Sequence, residues 1–495
     1  MLDLTRIETL RHSTVEPALN IIDGERRKAS DNAEMPVVSP LNGQVLTTMA
    51  RSTRTDAEAA IAAARRSFDD GRWRNLAPSQ RKRIMLRWAD MIEANALELA
   101  VLGVRDNGTE IGMAINAEPG SAVATIRYYA EAIDKLYGEI APTPPGILGL
   151  IHREPAGVVG AIIPWNFPLM IGAWKIGPAL ASGCSMVIKP AETASLALVR
   201  IVELAQVAGI PPGVLNVVTG EGAVVGAAIA ESMDVDVLVF TGSGRTGRKL
   251  MEAAARSNMK RVYLELGGKS PNIVFADAPD LDTAVATSAA GIFRNSGQLC
   301  VAGSRLLVER SIHDDFVKKL AAFAQTMKVG DPLDPTTNAG AVNSLVQLEQ
   351  NLEFVQAART EGRTVVTGGH RILEDSGGFY MAPTVVTGVE PQDRLAREEV
   401  FGPVLAVIPF DTEEEAVSIA NSTDYGLAAG VWTSDLGRAH RMVRAVKAGV
   451  VHVNTYGGPD ITVPIGGVRQ SGNGHDKSLH AFDKYLDLKT AWIKL

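Results

Sequence analysis

Cys300 stands in the stretch "FRNSGQLCVAGSR", Phe293 to Arg305, where Asn295, Ser296, Gly297 and Gln298 precede it and Ala302, Gly303 and Ser304 follow. Residues of this kind pack poorly, whereas a structural cysteine is usually buried among apolar side chains. A thiol in such a setting suits nucleophilic chemistry, given a route to the thiolate. Two routes need no histidine: backbone N–H groups at a turn or helix N-terminus, or a nearby carboxylate that takes the proton through water. A second reactive group is offered by "IPWNFP", where prolines fix the backbone around Asn166. A rigid side-chain amide is what an oxyanion donor requires, although an Asn can equally cap a turn. "FTGSGRTG" places Gly242, Gly244 and Gly247 in a G-x-G-x-x-G pattern between a strand and a helix, the dinucleotide-binding context. The ribose acid expected about 20 positions on would be Glu265 of "YLELGGKSP", oddly followed by two glycines. "MVIKPAE" offers an alternative, with Lys189 and Glu192 just past a strand; a carboxylate there accepts ribose hydroxyls and repels a 2′-phosphate, favouring NAD over NADP.

No C-x-x-C, H-E-x-x-H or EF-hand pattern supports a metal site. The other cysteine, Cys184, cannot build a disulfide framework with Cys300 alone, which suggests a reducing compartment. The net charge of −7 argues against a nucleic-acid partner. The N-terminus shows no apolar signal region, and the uncharged run Pro155 to Trp174 is broken by Pro164, Asn166 and Pro168, so it reads as strand, loop and helix start rather than a membrane span. A cytoplasmic protein with no membrane association is expected.

These residues need a scaffold that brings strand ends together. The N-terminal third is helical: "RTDAEAAIAAARRSFDDG" with Thr55-Asp56 as its cap, then Pro78 to Gly108. From Gly157, the β-branched runs "GVVGAIIPW", "SMVIKP", "GVLNVVTG", "VDVLVFTG" and "PNIVFA" alternate with helical stretches, which indicates βαβ units and a largely parallel sheet. A second run of this kind begins near Leu281, with "RLLVER", "TVVTGG" and "PVLAVIPF" as strands. At the C-terminus, Leu486, Leu488 and Trp492 alternate with Asp487 and Lys489, a strand able to close an internal sheet or extend a neighbour's.

In order, "PWNFP", "KPAE", "FTGS", "LELGGKSP", "GQLCVAGSR", "EEVFGPV", Val453-Asn454 and "GGVRQSGNG" resemble the aldehyde dehydrogenase superfamily along nearly the whole chain. "RYYAEAIDKLYGE" and "GNGHDKSLHAFDKYLDLKTAWIKL" look like the bacterial γ-glutamyl-γ-aminobutyraldehyde and guanidinobutyraldehyde dehydrogenases. The resemblance implies an α/β fold: a Rossmann-type NAD domain (1–137 and 156–265), an α/β catalytic domain (266–470) and a small β oligomerisation extension (138–155 and 471–495) in a homodimer or homotetramer. It implies Cys300 as nucleophile, Asn166 as oxyanion donor, Glu265 as the base that activates water against a thioester, and Lys175 and Asp476 as a proton path. NAD contacts would come from Ile162, Pro164, Trp165, Lys189, Glu192, Gly222, Phe240, Gly242, Ser243, Leu266, Glu399 and Phe401. Phe167, Trp174, Leu299, Val301 and Ile465 would line the aldehyde pocket.

Departures from the relatives concern the substrate. Ile465 and Val468 replace aromatic or long side chains, His475 stands where Arg is common, and "GTEIGMAINAEPGSA" retains only Glu118 of an acidic helix thought to attract cationic aldehydes. The subgroup resemblance implies an aminoaldehyde or other polar aldehyde as substrate, while these changes weigh against a small cationic aminoaldehyde and point to a bulkier or less charged one. A CoA-acylating enzyme and a catalytically silent member of the fold are the alternatives; Glu265 disfavours the first, and intact Asn166, Glu265 and Cys300 the second.

Overall fold

The computed structural model describes residues 2–458 and 460–495. Its first sheet runs in the order Glu25–Arg27, Asn20–Ile22, Leu215–Val217, Ser185–Lys189, Val158–Ile162, Val237–Thr241, Arg261–Glu265 and Gly472–Asn473. The five central strands are parallel, and the order reverses between Val158–Ile162 and Val237–Thr241. In doubly wound sheets that reversal opens a crevice beyond the carboxyl ends of the strands. Val158–Ile162, Ser185–Lys189 and Val237–Thr241 are buried at every position, which explains their continuous rather than alternating hydrophobicity. Asn166, Lys189, Glu192, Ser243 and Glu265 all lie at or just beyond this end.

The second sheet runs Thr364–Thr367, Thr384–Thr387, Val404–Phe410, Arg305–Glu309, Pro271–Val274, Ala428–Trp432 and Val450–Val453, parallel except at its first pairing. "PNIVFA" therefore sits inside the second sheet, not with the strands that precede it in sequence. Ile147–Pro155, Leu486–Lys494 and Glu139–Ala141 form a third, antiparallel sheet. The segment 471–495 does not act as one bridging piece. Gly472–Asn473 pairs with Leu264–Glu265, and Ala481, Phe482 and Tyr485 enter the first domain's core. Only Leu486–Lys494 departs for the extension, leaving Leu488 and Trp492 exposed.

The helix Arg54–Asp69 begins one residue before the expected cap: Thr53 accepts from the Asp56 N–H and Asp56 returns to the Thr53 N–H, a reciprocal capping box. Pro78 to Gly108 forms two helices, Pro78–Ala94 and Ala96–Asn107, parted at Asn95. Among the described residues, no helix is long and apolar enough to cross a membrane.

Candidate active site

Cys300 follows a left-handed run in which Asn295, Ser296 and Gly297 have φ of 48°, 50° and 74°. At Gly297 any Cβ would stand 2.1 Å from the Gly402 carbonyl oxygen. For Asn295 and Ser296 such backbone costs on the order of 1 kcal/mol each and persists only where the surroundings dictate it. They do so here. Asn295 N–H donates to Glu110 (3.2 Å), Thr109 Oγ1 donates to Asn295 Oδ1 (2.8 Å), and Ser296 Oγ donates to the Gly340 carbonyl (2.7 Å). Gln298 accepts from Asn343 N–H (2.8 Å) and donates to the Asn295 carbonyl (3.0 Å). The polar stretch before Cys300 is thus not poorly packed: Asn295, Ser296 and Gln298 are almost fully buried and pinned by partners distant in sequence. Long-range satisfaction of this kind leaves no local signal.

Asn166 is buried, and its Nδ2 donates to the Gln298 carbonyl (2.9 Å) beside Cys300. One amide proton is held there, which fixes the side chain with its second N–H directed elsewhere, an arrangement compatible with an oxyanion donor. The helix Pro168–Ser182 starts two residues later with proline in its first turn and carries Trp174 and Lys175. Glu118 accepts from the Met170 N–H (2.8 Å) at this helix's N-terminus, and burial pushes its carboxyl up to about 8. It therefore serves the helix and does not stand as an acid in the substrate path.

Behind the cysteine, burial and the charge of Asp476 hold the Glu265 carboxyl well above the usual carboxylate range, opposed by Lys175 and Lys484. Its Oε1 has no hydrogen-bond partner among the described residues. Lys175 and Asp476 form a buried ion pair, which Lys484 joins on the other carboxylate oxygen. Burial alone would raise the Asp476 carboxyl, but the two ammonium groups pull it below its ordinary value. Lys484 lies in the C-terminal stretch that carries the subgroup resemblance, yet nothing there gave it a role: a lysine in "FDKY" reads as surface until the chain turns it inward.

Two cavities share Asn166 and Cys300 as lining residues. One, about 370 Å³, is walled by Phe167, Trp174, Leu299, Val301 and Ile465 together with Met113, Ala117 and Met170. His452, Asp460 and Lys477 also border it, the last with its ammonium 5.6 Å from the centre of the Trp174 ring. Val468 and His475 do not line this space; both lie at the surface. Of the three residue departures near the C-terminus, only Ile465 bears on it.

The second cavity, about 250 Å³, is bounded by Pro164, Trp165, Gly242, Ser243, Glu265, Leu266, Glu399 and Phe401. Trp165 and Phe401 meet edge to face at 5.2 Å. Glu399 accepts from the Gly268 N–H (2.8 Å) and lies so close over Gly267 that a Cβ there would be 2.0 Å from its Oε2. Thr241, Gly267, Val400, Gln347, Gln350 and Phe354 also line this wall; the first three fall within the quoted motifs without having been singled out, and Gln347, Gln350 and Phe354 lie in no motif. Lys189, Glu192 and Gly222 form a separate cluster further along the strand ends: Lys189 Nζ is 2.9 Å from Glu192, which also accepts from the Gly222 N–H (2.6 Å). Ile162 and Phe240 lie in the apolar core beneath.

A thiol reached from one side by an apolar tunnel and from the other by a cleft at a dinucleotide crevice matches one family over most of the chain. The aldehyde dehydrogenase family model matches residues 27–491. The chain belongs to the aldehyde dehydrogenase family. It is 48% identical over 474 residues to the NADP/NAD-dependent aldehyde dehydrogenase PuuC of Escherichia coli (strain K12), covering 96% of this chain and 95% of that one. The P. syringae indole-3-acetaldehyde dehydrogenase AldA, solved as a mutant in complex with NAD+ and IAA, superposes with a TM-score of 0.98 at 50% identity over the whole of both chains. The γ-glutamyl-γ-aminobutyraldehyde dehydrogenase of Burkholderia cenocepacia J2315 superposes at 0.97 with 49% identity, again over the whole of both chains.

Solvent reaches the sulfur of this aldehyde dehydrogenase through the cavities, yet protein surrounds it. Burial, then Glu399 and Glu265, push the Cys300 thiol up to about 12, while the Val301 and Cys300 N–H groups pull the other way. Of the two expected routes to a thiolate, the backbone N–H groups are in place and favour it, while the charges of Glu399 and Glu265, when ionised, act against it. Cys184 is buried, and both cysteines are free. Among the described residues, no group of three or more His, Cys, Asp or Glu is placed to hold a metal ion.

Proposed function

We propose that this enzyme oxidises an aldehyde to its carboxylic acid with NAD(P)+, and that the observation carrying the reading is the meeting of the two cavities on Cys300 and Asn166. The cleft fits a dinucleotide. Ser243 caps the helix Gly244–Arg256 at the strand ends, and two buried oxygens on the wall, Thr241 Oγ1 and Glu265 Oε1, have no hydrogen-bond partner among the described residues. Lys189 and Glu192 would hold the adenosine ribose, Ser243 the pyrophosphate, and Glu399 with Phe401 the nicotinamide ribose and ring. Glu192 supports a preference for NAD+. When bound, NAD(P)+ supplies the hydride acceptor.

Cys300 loses its thiol proton to solvent through the cavities and its Sγ attacks the aldehyde carbon; the carbonyl pair moves onto oxygen, and that oxyanion is held by the Asn166 amide and the Cys300 N–H. Loss of hydride leaves a thioester on Cys300. Glu265 takes a proton from water, which attacks the thioester carbon; the thiolate leaves and the acid is released. Lys175 and Asp476 carry the proton onward. This water route is what Glu265 supports over acyl transfer to CoA.

For the substrate, the tunnel wall supports an aldehyde with an uncharged, largely apolar body. Met113 and Ala117 stand on the wall, and Glu118 is withdrawn to cap a helix. A cytoplasmic location is supported by the free cysteines, and a dimer or dimer of dimers by the exposed apolar face of Leu488 and Trp492. The test is an aldehyde panel with both dinucleotides. Arylalkyl and aliphatic aldehydes are expected to exceed ω-aminoaldehydes in kcat/KM; the opposite order would overturn the substrate reading, and no NADH or NADPH with any aldehyde would overturn the rest.

A further inference from the structure

The ion cluster behind Glu265 holds one more cation than an ion pair needs. Lys175 binds one oxygen of Asp476 and Lys484 the other, and the three side chains are 1%, 1% and 4% exposed. Burying charge is costly unless it is compensated, and Lys175 with Asp476 is already neutral. Lys484 leaves the cluster with a net positive charge in the interior, and an apolar side chain at 484 would have filled the same space without it. Lys484 ends the short 3-10 helix Leu479–Lys484, anchored by Ala481 and Phe482 in the core, so its inward direction is fixed by packing.

The charged and titratable groups that face this cluster are Glu265, whose strand pairs at that residue with Gly472 just ahead of Asp476, and Lys477, Tyr129 and Tyr485. Tyr129 donates to the Ser478 carbonyl (3.0 Å), and Lys484 lies 5.5 Å from the centre of the Tyr485 ring. Lys477 is directed to the tunnel. Glu265 is the anion that balances the count: once it ionises, the two lysines and two carboxylates sum to zero. Without Lys484, ionising Glu265 would leave an unbalanced negative charge in the interior.

We propose that Lys484 is a positioning residue for the hydrolytic step, its ammonium supplying the counter-charge against which Glu265 ionises to activate water. This rests on the roles given above to Cys300 and Glu265. The effect falls chiefly on hydrolysis, the step at which Glu265 takes the proton of water.

The test follows NADH by stopped flow with phenylacetaldehyde and NAD+, across the neutral-to-alkaline range. In Lys484→Met the stoichiometric NADH burst is expected to persist while steady-state turnover at neutral pH falls about tenfold. The pH midpoint of turnover should rise by roughly one unit, the lower end of what a nearby opposite charge does to a carboxylate. Lys484→Arg should keep the wild-type midpoint. The double variant Asp476→Asn with Lys484→Met removes opposite charges together and should return the midpoint toward wild type whatever its absolute rate; it also serves if the single variant does not fold. A wild-type midpoint in Lys484→Met, the same displacement in Lys484→Arg, or a double variant displaced as far as the single would each overturn the proposal. Absence of a stoichiometric burst in Glu265→Gln, where hydrolysis is blocked, would instead overturn the reading beneath it.

Discussion

Replacing Asn166 with Ala should separate the two halves of the reaction. The side chain is buried and makes a hydrogen bond to the Gln298 carbonyl at 2.9 Å. Losing that bond should cost about 1 kcal/mol of stability. The Gln298 carbonyl still receives Asn295 Nδ2 at 3.4 Å, and the loop keeps its bonds to Glu110, Gly340 and Asn343, so Cys300 should stay in place. What disappears is one of the two donors assigned to the oxyanion. Loss of one such donor slows the step it serves by on the order of 10²–10³-fold, or about 3–4 kcal/mol. The assay is the rate of the NADH burst, with thermal melting and iodoacetamide titration of Cys300 as controls for folding. The burst should slow by that factor while the thiol titrates normally. Glu265→Gln should do the reverse, leaving the burst and abolishing turnover. A burst in Asn166→Ala within about threefold of wild type would refute the oxyanion assignment, since a factor that small is well under the loss of a single donor.

Four further outcomes follow from the geometry. Glu192→Gln removes the carboxylate and leaves Lys189 facing the adenosine side, so the NADP+ to NAD+ ratio of kcat/KM should rise at least about tenfold in initial-rate kinetics; an unchanged ratio would show that Glu192 does not set dinucleotide choice. Met113→Asp restores an acid to the tunnel wall and should favour an ω-aminoaldehyde over a neutral aldehyde of equal length by about tenfold in kcat/KM, with equal change in both substrates counting against the tunnel assignment. Because burial and the neighbouring carboxylates raise the Cys300 thiol to about 12, its alkylation by iodoacetamide without NAD(P)+ should accelerate about tenfold per pH unit through the alkaline range; a plateau near neutrality would show a thiolate already formed. Leu488→Asp with Trp492→Asp places like charges on the exposed apolar face of the extension and should lower the mass seen by light scattering, unless the assembly uses another surface.

How much of this was legible depends on whether a residue's role is set nearby or at a distance. The β-branched runs Val158–Ile162, Ser185–Lys189 and Val237–Thr241 are buried on both faces, so their pattern names them as interior parallel strands without further help. "PNIVFA" has the same texture, and texture cannot say which sheet it joins; pairing with Arg305–Glu309 and Ala428–Trp432 decided that. The helix cap moved from Thr55 to Thr53 because the reciprocal bond with Asp56 needs a spacing of three. Glu118 was readable as an acid but not as a helix cap, because its partner, the Met170 N–H, is 52 positions away.

By itself the sequence determined the chemistry available: a thiol in a segment built of small and polar residues, an amide between prolines, a carboxylate before a glycine pair, and strands whose ends could carry them. These are properties of residue type and local backbone, which the chain cannot alter by folding. Tertiary structure decided protonation and access. It buried Asn295, Ser296 and Gln298 in bonds to distant segments, placed two cavities on either side of Cys300, and turned Lys484 inward beside Asp476. Charge, desolvation and shape act through space, so the residues that tune Cys300 and Glu265 come from parts of the chain that no local pattern connects.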